Sequence, residues 1–144
     1  MIYRMTAALL SLAGLFVSAY LYLYKVGKIG TLACGTGGCE TVQLSQWSRF
    51  AGVDVSLLGI LGYAVLLVLS LTSLQAGDGR QRWPLKLMVL LAAVGVLFTA
   101  YLTYLEIFVI RAICRWCLGS AVIITGIFLV SLLDRRSLLK GTDQ

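Results

Sequence analysis

The sequence predicts an all-α integral membrane protein, in which four transmembrane helices form a bundle and a short interfacial helix lies in the first extracytoplasmic loop. Of the 144 residues, 60% are hydrophobic and 12% are charged, about half the charged share of a soluble domain. Four stretches without a charged side chain approach the roughly 20 residues that a helix needs to cross a bilayer. We expect a single domain over 1–144, with spans near 5–24, 55–77, 87–105 and 116–133.

The first apolar stretch has two interpretations. Arg4 and the small residues Val17-Ser18-Ala19 would suit a cleaved signal peptide. The apolar pattern continues to Tyr24, however, which is too long for a typical signal. We therefore predict a retained first span, in which Gly14 and Ser18 let another helix pack closely.

Residues 25–54 form the long loop of the sequence and contain two of its four cysteines, Cys34 and Cys39. Several glycines surround these cysteines and make the backbone permissive. From Glu40 to Phe50 apolar and polar residues alternate in a way that fits a short amphipathic helix lying on the membrane. We expect this helix to form a lid over the bundle.

The later spans carry few chemical signals. Glycines in the second span indicate close helix packing, and Pro84 suits the start of the third helix. Threonines within a span usually bond their own backbone, so they are assigned no chemistry. A turn over 106–111 leads into the fourth span, and the charged residues 134–136 are expected to end that helix.

The other two cysteines form a Cys-x-x-C motif, Cys114 to Cys117, where the fourth span begins. One helical turn brings such sulfurs within disulfide reach, and the free amides of a helix N-terminus, with Arg111 and Arg115 nearby, favour the thiolate. The motif also serves structural disulfides and metal sites. Haem attachment would need a following His, and the chain has no His; zinc would therefore need four thiolates.

The distribution of basic residues predicts the orientation in the membrane. The net charge is +6, but the basic residues do not form the single stripe expected for nucleic-acid binding. The positive-inside tendency places both termini in the cytoplasm of a cell whose inner (plasma) membrane holds the protein. All four cysteines then lie outside. The seven basic residues on the cytoplasmic side are Arg4, Arg80, Arg82, Lys86, Arg135, Arg136 and Lys140, against Lys25, Lys28, Arg49, Arg111 and Arg115 outside.

Two cysteine pairs on the outer face indicate disulfide exchange. Thiols outside the cytoplasm become oxidised, and rings as short as these would add little stability as structural bridges. Electrons passed from one pair to the other need a two-electron acceptor, and the sequence has no motif for flavin, haem or nicotinamide. A membrane quinone fits, in a pocket below Cys117 closed by Trp47 and Phe50.

Three pieces of the sequence resemble the vitamin K epoxide reductase family, in its bacterial, DsbB-like disulfide-forming branch. Together with the order of the four spans, they extend the resemblance over nearly the whole chain. They are Gly38-Cys39 with Ser45 six residues on, VDVSLLG over 53–59 leading to Tyr63, and EIFVIRAICRWC over 106–117.

The resemblance implies a four-helix bundle around a quinone, ubiquinone or menaquinone, that reoxidises a separate thioredoxin-fold (DsbA-like) protein. Cys34 would exchange with that partner, Cys39 would relay to Cys114, and Cys117 would pass electrons to the quinone. Ser45 matches the family's loop serine near the quinone. The residues expected to surround the quinone are Cys117, Ser45, Trp47, Phe50 and Ala121.

The sequence also departs from the family in three places. Only four residues separate Cys34 from Cys39, Asp54 stands where bacterial members often have proline, and Ala121 lies where vertebrate enzymes place a tyrosine. The vertebrate vitamin K pocket is therefore not reproduced. Three alternatives stay open: a vitamin K epoxide reductase proper, a non-catalytic four-span scaffold with structural disulfides, and, least favoured on the oxidising side, a thiolate metal site.

Overall fold

Four long apolar helices run through the computed structural model, which describes residues 2–27, 46, 49–50, 52–75, 83–111 and 115–142. Each helix is long and apolar enough to cross a membrane. This confirms the predicted fold class. The helices are α1 (Ile2–Lys25), α2 (Val55–Gln75), α3 (Trp83–Tyr104) and α4 (Arg115–Thr142).

The helices pack in a ring in which α1 and α3 each lie between α2 and α4. Small residues allow the close approach of α1 and α2: the ring of Tyr63 lies where a Cβ on Gly14 would be, and the Ser18 side chain lies against Gly59. These contacts confirm the packing role expected for Gly14 and Ser18. Large apolar side chains such as Phe16, Leu97 and Val122 point outward, as expected of helices that lipid surrounds.

A buried ion pair joins three helices at the end of the bundle where α1 begins. Arg4 Nε donates a hydrogen bond to Asp134 Oδ2 at 3.0 Å, and Arg4 Nη1 donates to the backbone carbonyl of Ser73 at 2.9 Å. Both ionic side chains are 6% exposed. Because the Ser73 carbonyl lies in the last turn of α2, the guanidinium also satisfies a helix C-terminus. We call Arg4, Ser73 and Asp134 the clasp.

The clasp explains why the prediction for the end of α4 was wrong. The charged residues 134–136 do not stop the helix, which continues to Thr142. Asp134 faces the bundle interior and binds Arg4, while Arg135 and Arg136 are exposed. Arginine and leucine are good helix formers, so the helix continues past its apolar part.

The third span also runs further than expected. After α3 the chain continues as a π-helical turn, Leu105–Ile110, where a simple turn was predicted. Arg111 ends it in the left-handed conformation, with φ of 56°, and its backbone N–H donates to the carbonyl of Glu106. A non-glycine residue in this conformation is uncommon.

A short β-hairpin precedes α2. Strand β1 (Arg49–Phe50) pairs antiparallel with β2 (Val53–Asp54), and Gly52 in the connection has φ of 83°, which glycine adopts at low cost. The predicted interfacial helix over 40–50 is therefore wrong at its C-terminal end, where ladder hydrogen bonds replace helical ones. Most of its remaining residues lie outside the described ranges.

Candidate functional site

Cys117 lies in the first turn of α4, which begins at Arg115. The backbone amides of a first helical turn have no partner within the helix, and their dipoles favour an anionic sulfur. The Cys117 side chain is half-buried and packs beside Leu21, together with Ile110 and Trp116. The predicted helix N-terminal setting of this cysteine is therefore found.

Cys117 also lines a cavity of about 530 Å³ inside the bundle, within the ordinary size of a small-molecule site. Most of the wall comes from α2 and α3, with smaller contributions from α1 and α4. It is mainly aliphatic. The polar or reactive side chains among the lining residues are Ser18, Ser56, Tyr63, Thr99, Thr103, Glu106, Cys117 and Ser120.

The cavity is open toward the lipid between α2 and α3. Leu61 and Val65 of α2 and Leu91 and Val94 of α3 line the cavity and are exposed on the outer surface of the bundle. Gly62 lies between the two α2 residues, and a Cβ there would meet nothing within 4 Å. An apolar molecule dissolved in the bilayer can therefore reach the interior without crossing water.

Ser56 places an unsatisfied hydroxyl in the cavity wall. The residue is 6% exposed, and its Oγ has no hydrogen-bond partner among the described residues. Ser11 and Ser131, which lie deep in their helices, donate to carbonyls four residues earlier. Ser56 is the second residue of α2, so no helical carbonyl precedes it. Such an orphan group suggests a ligand with an acceptor.

Tyr63 fixes another part of the wall. Its hydroxyl donates to the backbone carbonyl of Ser120 at 2.9 Å and lies 2.7 Å from Ser120 Oγ. These bonds join α2 to α4 one turn below Cys117. Because the Tyr63 ring also packs against Gly14, the cavity wall is fixed on three helices.

Glu106 is a buried carboxylic residue within the apolar region. It is 3% exposed, is the second residue of the π-helical turn, and lines the same cavity as Cys117. Acidic residues inside membrane spans are rare and usually mark function.

Three charged residues, Lys25, Arg49 and Asp54, hold the β-hairpin at the cysteine end of the bundle. Lys25 Nζ and Arg49 Nε donate to Oδ1 of Asp54 at 3.0 and 3.3 Å. The hydrogen bond from Lys25 is the main cause that lowers the pKa of Asp54, against partial burial, which raises it; Arg49 adds a smaller lowering effect. Asp54 thus ties the start of α2 to the end of α1.

Several residues predicted for the site lie outside the described ranges: Cys34, Cys39, Cys114, Ser45 and Trp47. Phe50 is described only as part of the backbone of β1. Ala121 lies on α4 but is not among the residues that line the cavity, where Ser120 and Ile124 represent that helix. The roles predicted for these residues stay predictions.

Ser56 and Glu106 were not predicted as site residues, although both fall within the strings that carry the family resemblance. For Glu106 a signal existed, because a carboxyl group within an apolar span is costly and usually marks a functional site. For Ser56 the signal was its position in the first turn of a span, where a serine has no helical carbonyl three or four residues earlier to which it can donate.

The sequence profile of the vitamin K epoxide reductase family matches residues 5–132, which cover most of α1, all of α2 and α3, the first part of α4 and the loop between α1 and α2.

Proposed function

Because the chain belongs to the vitamin K epoxide reductase family, whose members are membrane oxidoreductases, we propose that it transfers two electrons from protein thiols to a membrane quinone. One observation carries this proposal: Cys117 lines an apolar cavity that opens to the lipid and holds the hydroxyl of Ser56, which has no hydrogen-bond partner among the described residues.

The described residues fit a quinone in three respects. The aliphatic walls suit its ring and isoprenoid tail, and the gap between α2 and α3 suits a molecule that arrives from the bilayer. The Ser56 hydroxyl is a donor, and a quinone carbonyl oxygen is an acceptor. The quinone, ubiquinone or menaquinone, would supply the capacity to take up two electrons and two protons.

The protein's own residues supply reactivity and position. The amides of the first turn of α4 stabilise the Cys117 thiolate, which is the reactive form of cysteine. Ser56 donates a hydrogen bond that orients the acceptor, and Tyr63, held by Ser120, keeps the wall rigid. The aliphatic side chains exclude water, which strengthens each of these interactions.

We further propose the path of electrons toward the cavity. A thioredoxin-fold, DsbA-like protein delivers them to Cys34 and Cys39, and the pair Cys114 and Cys117 receives them by thiol–disulfide exchange. We also propose an orientation in which both termini are cytoplasmic and the cysteines lie outside the inner membrane. The basic residues of the terminal segments and of the loop between α2 and α3 support that orientation.

Anaerobic turnover tests the proposal. Purified protein is mixed with a reduced thioredoxin-fold dithiol protein, or with a small dithiol, and with a short-chain quinone whose absorbance is followed. We expect Cys117→Ala and Cys114→Ala to abolish turnover with both donors, and Cys34→Ala and Cys39→Ala to abolish it with the protein donor alone.

Other results separate the alternatives. Wild-type protein that reduces no quinone, and forms no mixed disulfide with the dithiol protein, would favour the scaffold. Offering the epoxide of a naphthoquinone as the substrate distinguishes an epoxide reductase. Ser70→Ala is a control for folding, because Ser70 is buried in α2, donates to the carbonyl of Leu67 and does not line the cavity.

A further inference from the structure

We propose that Glu106 is a proton carrier for this site: its carboxyl group hands a proton to the quinone as Cys117 delivers electrons, and regains one from water at the cysteine end of the bundle. The inference rests on the proposed function and adds a further catalytic residue to the cysteines.

The first argument is placement. Glu106 continues the stripe of α3 residues that face the cavity, which runs through Phe98, Thr99, Leu102 and Thr103 at helical spacing. Cys117 lines the same cavity from α4. Glu106 and Cys117 therefore line one common cavity, and Glu106 is 3% exposed.

The second argument is the backbone around Glu106. The next three residues, Ile107, Phe108 and Val109, are all exposed on the apolar surface, so the π-helical turn directs Glu106 inward while its neighbours face lipid. The N–H of Arg111 bonds to the Glu106 carbonyl and closes the turn. Single π-helical turns of this kind frequently occur at functional sites.

The third argument is chemical. Among the described residues that line the cavity, Glu106 carries a carboxyl group and Cys117 a thiol, which give up a proton more readily than serine or threonine hydroxyls or an ordinary tyrosine, whose pKa is near 10. Tyr63 is also bonded to Ser120. Cys117 acts as a thiolate, so it has already lost its proton. The quinone takes up two protons; Cys114 can supply one, and a second proton donor is needed for the other.

The step balances as follows. Cys117 thiolate, Cys114 thiol, the Glu106 carboxylic acid and one quinone give a Cys114–Cys117 disulfide, a Glu106 carboxylate and one quinol. The two sulfurs lose two electrons and the quinone gains them. Its two protons come from Cys114 and Glu106, and the total charge stays at minus one. Water outside the membrane then reprotonates Glu106.

Two substitutions separate proton transfer from structure. Glu106→Gln keeps the size and the hydrogen-bonding capacity of the side chain but cannot carry a proton, whereas Glu106→Asp keeps the carboxyl group. Quinone binding is measured by quenching of tryptophan fluorescence, and single-turnover oxidation of pre-reduced protein by quinone absorbance. Infrared difference spectra report whether a carboxyl group changes protonation during that turnover.

We expect Glu106→Gln to bind quinone as wild type does but to form quinol roughly 10²-fold more slowly, and to lose the carboxyl infrared signal. Glu106→Asp should recover much of the rate and show a displaced carboxyl signal. The inference is overturned if Glu106→Gln turns over at the wild-type rate, or if both variants lose quinone binding or unfold, which would make Glu106 a structural anchor. A wild-type protein that reduces no quinone would overturn the proposed function as well.

Discussion

The two ends of the bundle contrast in how they treat polar groups. At the clasp, Arg4 bonds both Asp134 and the Ser73 carbonyl, and all three residues are buried. At the cysteine end, the Ser56 hydroxyl has no partner among the described residues, a π-helical turn replaces regular helix, and Arg111 adopts a left-handed conformation. Satisfied polar groups inside the bundle hold the helices together at one end, whereas at the other end the buried Ser56 hydroxyl lacks a partner among the described residues.

The largest effect on stability should come from breaking the clasp. Arg4→Met leaves the Asp134 carboxylate buried without its partner, which costs about 3–5 kcal/mol of unfolding free energy. Denaturant unfolding in detergent micelles measures it. The double variant Arg4→Met with Asp134→Leu should recover most of the loss, because no buried charge remains. Equal stabilities of Arg4→Met and wild type would show that the clasp does not hold the helices.

A smaller effect is expected where the contact between α1 and α2 supports the cavity wall. Gly14→Ala places a methyl group in the Tyr63 ring and should cost about 1–3 kcal/mol through overpacking. Gly119→Ala is the matched control, since a Cβ there meets nothing within 4 Å, and it should be neutral or stabilising because alanine favours helix. Thermal unfolding of both variants checks this, and equal losses at the two glycines would contradict it.

Ser56→Ala should separate stability from binding. Removing a buried hydroxyl that has no described partner leaves stability unchanged or raises it, whereas quinone affinity should fall by about 1 kcal/mol, or about fivefold. Fluorescence titration with a short-chain quinone measures affinity. Ser70→Ala should leave affinity unchanged. If Ser56→Ala binds quinone as wild type does, the hydroxyl is not a ligand.

The smallest effect concerns the hairpin. Asp54→Asn removes a partly exposed ion pair and should cost about 0–1 kcal/mol. Because the folded-state pKa of Asp54 is lowered, its contribution is complete above the ordinary pKa of about 3.9 and is lost as pH falls through the lower folded value. Wild type should therefore lose this part of its free energy of unfolding in acid, and Asp54→Asn should not. Parallel acid losses in both proteins would exclude the ion pair as the cause.

The membrane helices were predictable because charges are costly in lipid. The second predicted span, 55–77, and the helix Val55–Gln75 share their start and differ by two residues at the end. The end of α4 was missed for a related reason: Asp134 is charged, but a partner 130 residues away lets it lie inside the bundle. A long-range ion pair leaves no local pattern in the sequence.

The site was predictable only in part. The Cys-x-x-C motif and the following apolar run indicated a cysteine at a helix start, and the structure places Cys117 there. The π-helical turn has no hydrophobic period that distinguishes it from α-helix, so the inward direction of Glu106 was not visible. Residues 49–50 were assigned to an amphipathic helix because apolar and polar residues are interleaved there without a clear period, and so short a stretch does not distinguish a surface helix from a strand.

The most direct test of the contrast between the clasp and the cysteine end of the bundle is to locate a bound quinone. A short-chain quinone carrying a photoreactive azide is bound to the purified protein, activated by light, and mapped by mass spectrometry of the digested chain. We expect labels on cavity residues near Cys117, in the first half of α2 or the second half of α3, that disappear when excess unlabelled quinone competes. Competable labels near Arg4 and Asp134 would contradict the assignment of the cavity as the quinone site.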